Sequence, residues 1–142
     1  IGLANLGVDK YCKDIIPYLN ELDTQVIINI AGSALDDYLE TMKILERANG
    51  KHVGYEVNIS CPNVKKGGME FGVSCEMTEK LTEEMRKQTD KLLIMKLGPN
   101  VTCIEDIASA AESFPPLMPS ICLFFLFIFL YSRYIFNLSR RI

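Results

Sequence analysis

The apolar residues of the chain follow two alternating patterns. Three short runs rich in aliphatic residues predict buried strands at residues 25–30, 53–59 and 91–97. Between these runs, apolar residues recur every three or four positions, as on one face of a helix. This spacing predicts helices over residues 9–22, 33–48 and 76–88 and from residue 102 onward. Strands that alternate with helices usually pair in parallel, so the pattern predicts an α/β fold.

Short polar motifs indicate where these helices begin and end. Ser33 is placed to cap the helix that follows the first strand, and Asn49-Gly50 is a typical helix end. Thr102-x-x-Glu105 has the spacing of a capping box. Pro17 is expected to divide the first helical segment, because proline is poorly tolerated inside a helix.

Each predicted strand carries one polar residue near its carboxyl end. These residues are Asn29, Asn58 and Lys96. A polar group in an apolar strand is costly unless it is paired, and the carboxyl ends of parallel strands are where ligands bind in α/β folds. The pattern favours a binding site at this edge, and the alternative is that the three side chains bond only to neighbouring loops.

The segment from Asn58 to Val64 reads NISCPNV and leads into a glycine-rich loop. Cys61 lies in this loop, where a thiol can act as a base or a nucleophile. Asn58 and Asn63 flank it, and their amides suit a flat polar heterocycle. Spacing alone leaves a second reading open, in which Cys61 packs under a turn and the asparagines bond to backbone.

Several motifs together resemble the class 1 dihydroorotate dehydrogenases, most closely the two-subunit form that uses NAD. NISCPNVKKGG with Phe71-Gly72 resembles the active-site loop of that family, and IGLxN at Ile1–Asn5 resembles its substrate segment. VIINIAGS at residues 26–33 is similar to its flavin strand, and MKL with PNV at residues 95–101 to its flavin-lysine strand. The motifs occur in the family's order and cover residues 1 to about 113.

The resemblance implies oxidation of dihydroorotate to orotate with hydride transfer to FMN, in pyrimidine biosynthesis. Cys61 would be the base that removes a proton from C5 of dihydroorotate. Asn58, Asn63 and the backbone of Gly2 and Leu3 would bind the substrate.

The same resemblance implies a flavin site. Asn29 and Asn58 would contact FMN, and Lys96 would lie beside its N1–C2 edge, where a cation stabilises the reduced form. In the NAD-using form, a partner subunit would carry FAD and an iron–sulfur cluster. The intact family member would be a homodimer or a heterotetramer.

The expected architecture is a partial TIM (β/α)8 barrel of about three to four βα units. The chain opens at Ile1 without a methionine, and we expect it to be a fragment that lacks the start and the second half of the barrel. Such a partial barrel is expected to leave strand edges unpaired.

Composition divides the chain in two. Residues 1–114 hold all 18 acidic residues and all nine glycines. Residues 115–142 hold neither, and their only charged residues are arginines. We therefore assign residues 1–114 to the barrel and interpret 115–142 as a non-native-looking apolar tail outside the family fold. The tail is read as out-of-frame or unspliced sequence, with a membrane segment over 117–138 or a soluble element as alternatives.

Charge and cysteine usage exclude some functions. The acidic body argues against nucleic acid as a partner, because phosphate binding needs a basic face. The five cysteines show no CxxC and no metal-ligand spacing, so no metal site is predicted and a reducing, cytoplasmic location is expected. The single histidine, His52, follows a turn and is expected at the surface.

Two other functional readings remain. One is the flavin domain of dihydropyrimidine dehydrogenase, which shares the barrel and a Ser-Cys-Pro loop but has a histidine where this chain has Asn63. The other is a catalytically dead fragment, with or without membrane association through residues 117–138, because the missing half of the barrel would hold the FMN phosphate.

Overall fold

The structure is a computed structural model that describes residues 6–60, 71–99, 101–113, 120–124 and 136–139. In the last two segments it describes the backbone alone. The helices are α1 Val8–Asp14, α2 Ile16–Asn20, α3 Leu35–Arg47, α4 Cys75–Arg86 and α5 Ile104–Glu112, with a 3-10 turn at Phe71–Val73. The strands are β1 Ile27–Ala31, β2 Gly54–Asn58, β3 Leu92–Leu97, β4 Ser120–Phe124 and β5 Phe136–Ser139.

The described strands form one parallel sheet in the order β4-β3-β2-β1-β5. The prediction of three parallel strands separated by helices is therefore confirmed, with strand bounds that differ by one or two residues. The architecture is that of a partial (β/α)8 barrel, with β1–α3, β2–α4 and β3–α5 as its units.

The two faces of the sheet differ in polarity. On the face covered by helices, side chains from β1, β2 and β3 are almost fully buried and join the helices in one core; they are Ile28, Ile30, Tyr55, Val57, Leu93, Met95 and Leu97. Side chains alternate between faces along a strand, so the intervening residues lie on the opposite face. That face corresponds to the inside of a barrel, and it carries the polar residues of the strands.

Two of the predicted helix starts are wrong. Helix α3 takes Ala34, not Ser33, as its N-cap residue, and the carboxylate of Asp37 accepts hydrogen bonds from the backbone N–H groups of Ser33 (2.9 Å) and Ala34 (3.0 Å). Helix α5 takes Cys103 as its N-cap without a side-chain capping bond. Thr102 therefore lies one position too early to cap it.

The other helix ends follow the sequence signals. Pro17 lies in the first turn of α2, so the first helical segment is divided as predicted. Asn49, just after α3, has a positive φ of 52°, the left-handed conformation of a helix-terminating residue.

The prediction of a surface position for His52 is wrong. The side chain is 5% exposed, and its Nε2 lies 2.6 Å from the Tyr55 hydroxyl. Because β2 begins at Gly54, His52 already lies at the edge of the core, where its ring packs edge-on against Tyr55 at 4.8 Å between centroids.

The tail contributes two strands to the sheet. β4 pairs with β3, and β5 pairs with β1, so neither β1 nor β3 has the unpaired outer edge expected of a partial barrel. The division of the chain at residue 114 stays a prediction. Among the residues that the structure describes, no helix is long and apolar enough to cross a membrane.

Candidate functional site

Four polar side chains occupy the face of the sheet away from the helices, towards the carboxyl ends of the strands. Asn29 on β1 lies opposite Glu56 on β2. Two residues further along β2, Asn58 lies opposite Lys96 on β3. Parallel register therefore brings together the three residues predicted as a site, with Glu56 among them. Asn29, Glu56 and Asn58 are each less than 5% exposed.

Glu56 connects the side chains of the two neighbouring strands. Its Oε1 accepts a hydrogen bond from Nδ2 of Asn29 and lies 3.2 Å from Nζ of Lys96. The Lys96 and Glu56 side chains are only 12% and 6% exposed. The ammonium group is thereby held at the carboxyl end of β3 with a defined partner.

Asn29 keeps one polar atom available. Its Nδ2 donates to Glu56, whereas its Oδ1 is buried and has no hydrogen-bond partner among the described residues. A buried acceptor without a partner costs about 1–3 kcal/mol. Such an atom is expected where a ligand supplies the missing donor.

Asn58 is held by both its backbone and its side chain. Its carbonyl oxygen accepts a hydrogen bond from the Tyr38 hydroxyl of α3 at 3.0 Å. Its side-chain Oδ1 accepts from the backbone N–H (3.2 Å) and the hydroxyl (2.6 Å) of Ser60. The contact with Ser60 is the loop bonding that the alternative reading expected, and it leaves the amide NH2 as the group that Asn58 can offer to a ligand.

The structure fixes both ends of the loop that contains the predicted base. The loop leaves β2 at Ser60 and returns at Phe71–Val73, where a Cβ on Gly72 would lie 2.3 Å from the Ile59 carbonyl oxygen. Only glycine permits so close an approach. Thr78 on α4 fixes the same point by donating to the Phe71 carbonyl at 2.5 Å. Both ends of the loop thus lie at the carboxyl end of β2, beside Asn58.

Four of the predicted site residues lie outside the described residues. They are Gly2, Leu3, Cys61 and Asn63. Their assigned roles stay predictions from the resemblance. Within the described part of the chain, no group of three or more His, Cys, Asp or Glu side chains is placed to hold a metal ion.

The described side chains fit a flavin. The pyrimidine-like edge of an isoalloxazine ring carries carbonyl oxygens and an imide N–H, so it needs both donors and acceptors. Lys96 and the Asn58 amide supply donors, and Oδ1 of Asn29 supplies a buried acceptor. The unpartnered oxygen of Asn29 is the observation that favours this fit.

Glu56 is the residue of this candidate site that was not predicted from the sequence. It lies two positions before Asn58, and the two-residue period of a strand places both on the same face. A carboxylate within an apolar strand is the signal that could have revealed it, because a buried charge must be paired.

A second polar cluster lies near the opposite end of β2. The Glu46 carboxylate of α3 accepts hydrogen bonds from Tyr55 (2.6 Å), Thr89 (2.8 Å) and Lys91 (2.8 Å). Burial alone would raise the pKa of Glu46, but these hydrogen bonds outweigh it and lower that pKa. Burial and Lys91 lower the pKa of the adjacent His52 to about 4. This cluster lies away from the strand ends that carry the predicted site, and it ties α3 to the sheet.

Comparison with known proteins identifies close relatives. The sequence model of the family described as Dihydroorotate dehydrogenase matches residues 1–117. The catalytic subunit of dihydroorotate dehydrogenase B (NAD(+)) from Porphyromonas gingivalis is 46% identical over 114 residues, which are 80% of this chain and 36% of that subunit. The subunit of the same name from Bacteroides thetaiotaomicron is 46% identical over 112 residues, 79% of this chain and 37% of the relative.

A similar match is found outside these two species. The corresponding subunit of Alkaliphilus metalliredigens is 46% identical over 111 residues, 78% of this chain and 36% of that subunit. The chain thus spans a little more than a third of the length of the curated relatives it matches.

Proposed function

The chain belongs to the dihydroorotate dehydrogenase family, and we propose that it carries part of the active site of an enzyme that oxidises dihydroorotate to orotate in pyrimidine biosynthesis. The observation that carries the proposal is the buried group of Asn29, Glu56, Asn58 and Lys96 at the carboxyl ends of three parallel strands. This is the end of the strands where barrel enzymes bind their ligands.

Members of this family are flavin-dependent, and we assign FMN as the flavin of this chain. Lys96 would bind the electron-rich edge of the ring, while Asn29 would accept a hydrogen bond through its unpartnered Oδ1. When bound, FMN supplies the acceptor for the hydride that leaves C6 of dihydroorotate.

The remaining chemistry is assigned to the loop after β2. The thiolate of Cys61 removes the proton from C5 of dihydroorotate and becomes a thiol. Asn58 and Asn63 bind the polar ring of the substrate, and the backbone of Gly2 and Leu3 completes its contacts. Support for these roles comes from the sequence resemblance and from the position of the loop ends beside Asn58.

The test uses a chimera in which residues 1–114 of this chain replace the segment that they match in the Porphyromonas gingivalis subunit. The purified chimera is expected to bind FMN and to lose its flavin absorbance when dihydroorotate is added without oxygen. If dihydrouracil bleaches the flavin and dihydroorotate does not, the substrate belongs to the dihydropyrimidine dehydrogenase class. If the folded chimera takes up no FMN, the proposal is wrong.

A partner subunit is part of the proposal. The relatives are named as catalytic subunits of an NAD(+) form, and we infer an electron-transfer partner with FAD and an iron–sulfur cluster. The intact assembly would be a homodimer or a heterotetramer in the cytoplasm. The chimera should reduce NAD⁺ with dihydroorotate only when the electron-transfer subunit of Porphyromonas gingivalis is present.

A second candidate is a catalytically dead fragment. It is favoured by the family match, which ends at residue 117, and by the two tail strands that pair with both sides of the three-unit sheet. Titration of the 142-residue chain with FMN separates the candidates. Fluorescence quenching that saturates at micromolar FMN supports the enzyme, whereas the absence of binding in the folded chain supports the dead fragment.

A further inference from the structure

Glu56 has a position that the proposed catalytic roles do not use. It lies on β2, the central strand of the sheet, and its Oε1 meets both Asn29 of β1 and Lys96 of β3. One carboxylate oxygen therefore fixes two side chains that belong to different strands.

Stability alone does not account for a glutamate at this place. Taking a carboxylate and an ammonium group out of water costs several kcal/mol per ion, and well-packed apolar residues of similar volume are often as stabilising as the ion pair. Strands that are buried on both faces usually carry aliphatic residues there. The Glu56–Lys96 pair is only 6% and 12% exposed, so it bears most of this cost.

Glu56 also determines how the Asn29 amide is oriented. An ionised carboxylate only accepts hydrogen bonds, so Asn29 must turn its NH2 group towards Glu56. The carbonyl oxygen then points away from Glu56, and it is the atom without a partner among the described residues. With a glutamine at position 56, either orientation of the Asn29 amide could be satisfied.

We propose that Glu56 is a positioning residue that presents Oδ1 of Asn29 as an acceptor and holds Lys96 as a partly neutralised cation for the bound flavin. This inference rests on the proposed function. Glu56 itself touches neither substrate nor the reacting atoms. Through Lys96 it limits how strongly the site favours the reduced, more negative flavin over the oxidised form.

The first experiment needs no flavin and uses the 142-residue chain. Acetic anhydride labelling of each lysine is measured by mass spectrometry in the parent and in Glu56→Gln. We expect Lys96 to be labelled at least fivefold faster in the variant, because the carboxylate no longer holds its ammonium group, while Lys91 is unchanged.

The matched control is Glu46→Gln. Glu46 holds Lys91 at 2.8 Å near the other end of the sheet, in an ion pair of the same type. This variant should speed labelling of Lys91 and leave Lys96 unchanged. Equal labelling of Lys96 in parent and Glu56→Gln would overturn the positioning role whether or not the chain binds flavin.

The second experiment measures the affinities of the chimera for oxidised and reduced FMN. Glu56→Gln removes the negative charge beside Lys96 and should raise the ratio of reduced-FMN to oxidised-FMN affinity on the order of tenfold. This ratio corresponds to a rise of about 30 mV in the two-electron reduction potential of the bound flavin. Glu56→Asp keeps the charge and should leave the ratio within threefold of the parent. A merely structural role would weaken both affinities equally and leave the ratio unchanged.

A double variant tests whether Glu56 acts through Lys96. In a Lys96→Met background, Glu56→Gln should change the ratio by less than a third of its effect in the parent. An undiminished effect would show that Glu56 acts on the flavin by another route. Failure of dihydroorotate to bleach the flavin would sink the proposed function alone, because the labelling and affinity measurements do not depend on turnover.

Discussion

Two glutamate–lysine pairs of the same kind lie near opposite ends of the sheet. Glu56 and Lys96 are nearly enclosed, whereas Glu46 and Lys91 are each about a quarter exposed. The desolvation cost is therefore greater for the pair at the carboxyl ends of the strands, where the ligand is proposed to bind. The same pair of residue types thus lies at the proposed binding site at one end and attaches α3 to the sheet at the other.

At the residue scale, the sharpest prediction concerns Cys61. An ordinary thiol has a pKa near 8.5 and supplies thiolate close to neutral pH, whereas a serine hydroxyl does not. In the chimera, Cys61→Ser should retain FMN and orotate binding but slow flavin reduction by dihydroorotate roughly 10²–10⁴-fold. Anaerobic stopped-flow absorbance measures this rate.

The matched control for that experiment is Cys75→Ser. Cys75 is exposed at the start of α4, outside the loop between β2 and α4, and its replacement should leave the rate within twofold of the parent. A Cys61→Ser rate within threefold of the parent, with orotate affinity unchanged, would mean that another residue is the base.

His52 predicts a dependence of stability on pH. The Tyr55 hydroxyl donates to Glu46, so it must accept from Nε2–H of His52, and protonation must occur at Nδ1, which is buried and has no partner among the described residues. The folded pKa of His52, about 4, lies below its unfolded value of 6.5. The unfolded chain therefore binds more protons between these values, and stability falls as pH falls from 6.5 towards 4.

The size of this effect can be measured in the chimera. From pH 7 to pH 5 the free energy of unfolding should fall by about 2 kcal/mol more in the parent than in His52→Gln, which cannot titrate. Urea midpoints at both pH values give the difference. If the free energy of unfolding falls equally in the two proteins, burial does not lower the pKa of His52.

At this scale, the site residues that could be predicted from the sequence were polar residues at the ends of apolar runs. Asn58 and Lys96 interrupt apolar runs at their ends, and the structure places them opposite each other at the carboxyl ends of β2 and β3. Glu56 was missed because its partners, Asn29 and Lys96, lie 27 and 40 positions away in sequence and meet it only through strand pairing. His52 was wrongly predicted at the surface, because the turn before it does not reveal that its ring nitrogen forms a buried hydrogen bond with the Tyr55 hydroxyl.

At the scale of elements, the type and order of strands and helices follow from local periodicity, and their ends follow from contacts that sequence spacing does not determine. The capping group of α3 is the clearest case. Ser33 has the right residue type, but Asp37 reaches back to two backbone N–H groups and the helix starts one residue later than a Ser33 cap would require.

This contact yields a prediction about the β1–α3 connection. Asp37→Ala should lower the free energy of unfolding of the chimera by about 1–2 kcal/mol, because it leaves two backbone donors without their acceptor and removes a negative charge from the helix N-terminus. Asp36→Ala is the matched control, since Asp36 is exposed in the same turn. Its effect should stay within about 0.5 kcal/mol. Equal urea midpoints for the two variants would show that the Asp37 carboxylate does not stabilise the start of α3.

At the scale of the whole molecule, the strands that the structure describes form an open sheet of five. β4 and β5 occupy the outer sides of β3 and β1 through parallel pairing along their length. These strands could not be predicted from the sequence, because the composition of residues 115–142 differs from that of the body and the family motifs end before them. Backbone hydrogen bonding does not require family motifs, so a strand of unrelated sequence can cover an edge.

The tail strands lead to the last prediction. Removing residues 115–142 would bare the backbone N–H and C=O groups along β1 and β3, and exposed strand edges promote association between chains. We expect the truncated chain to elute from size-exclusion chromatography in larger species than the 142-residue chain at equal concentration. Leu123→Pro is a milder test, because the alternation of hydrogen bonds along the parallel ladder directs the Leu123 N–H to the Met95 carbonyl of β3, and proline removes that donor. Its elution should fall between the two, and a truncated chain that is monomeric and melts as the parent does would show that the tail strands protect neither edge.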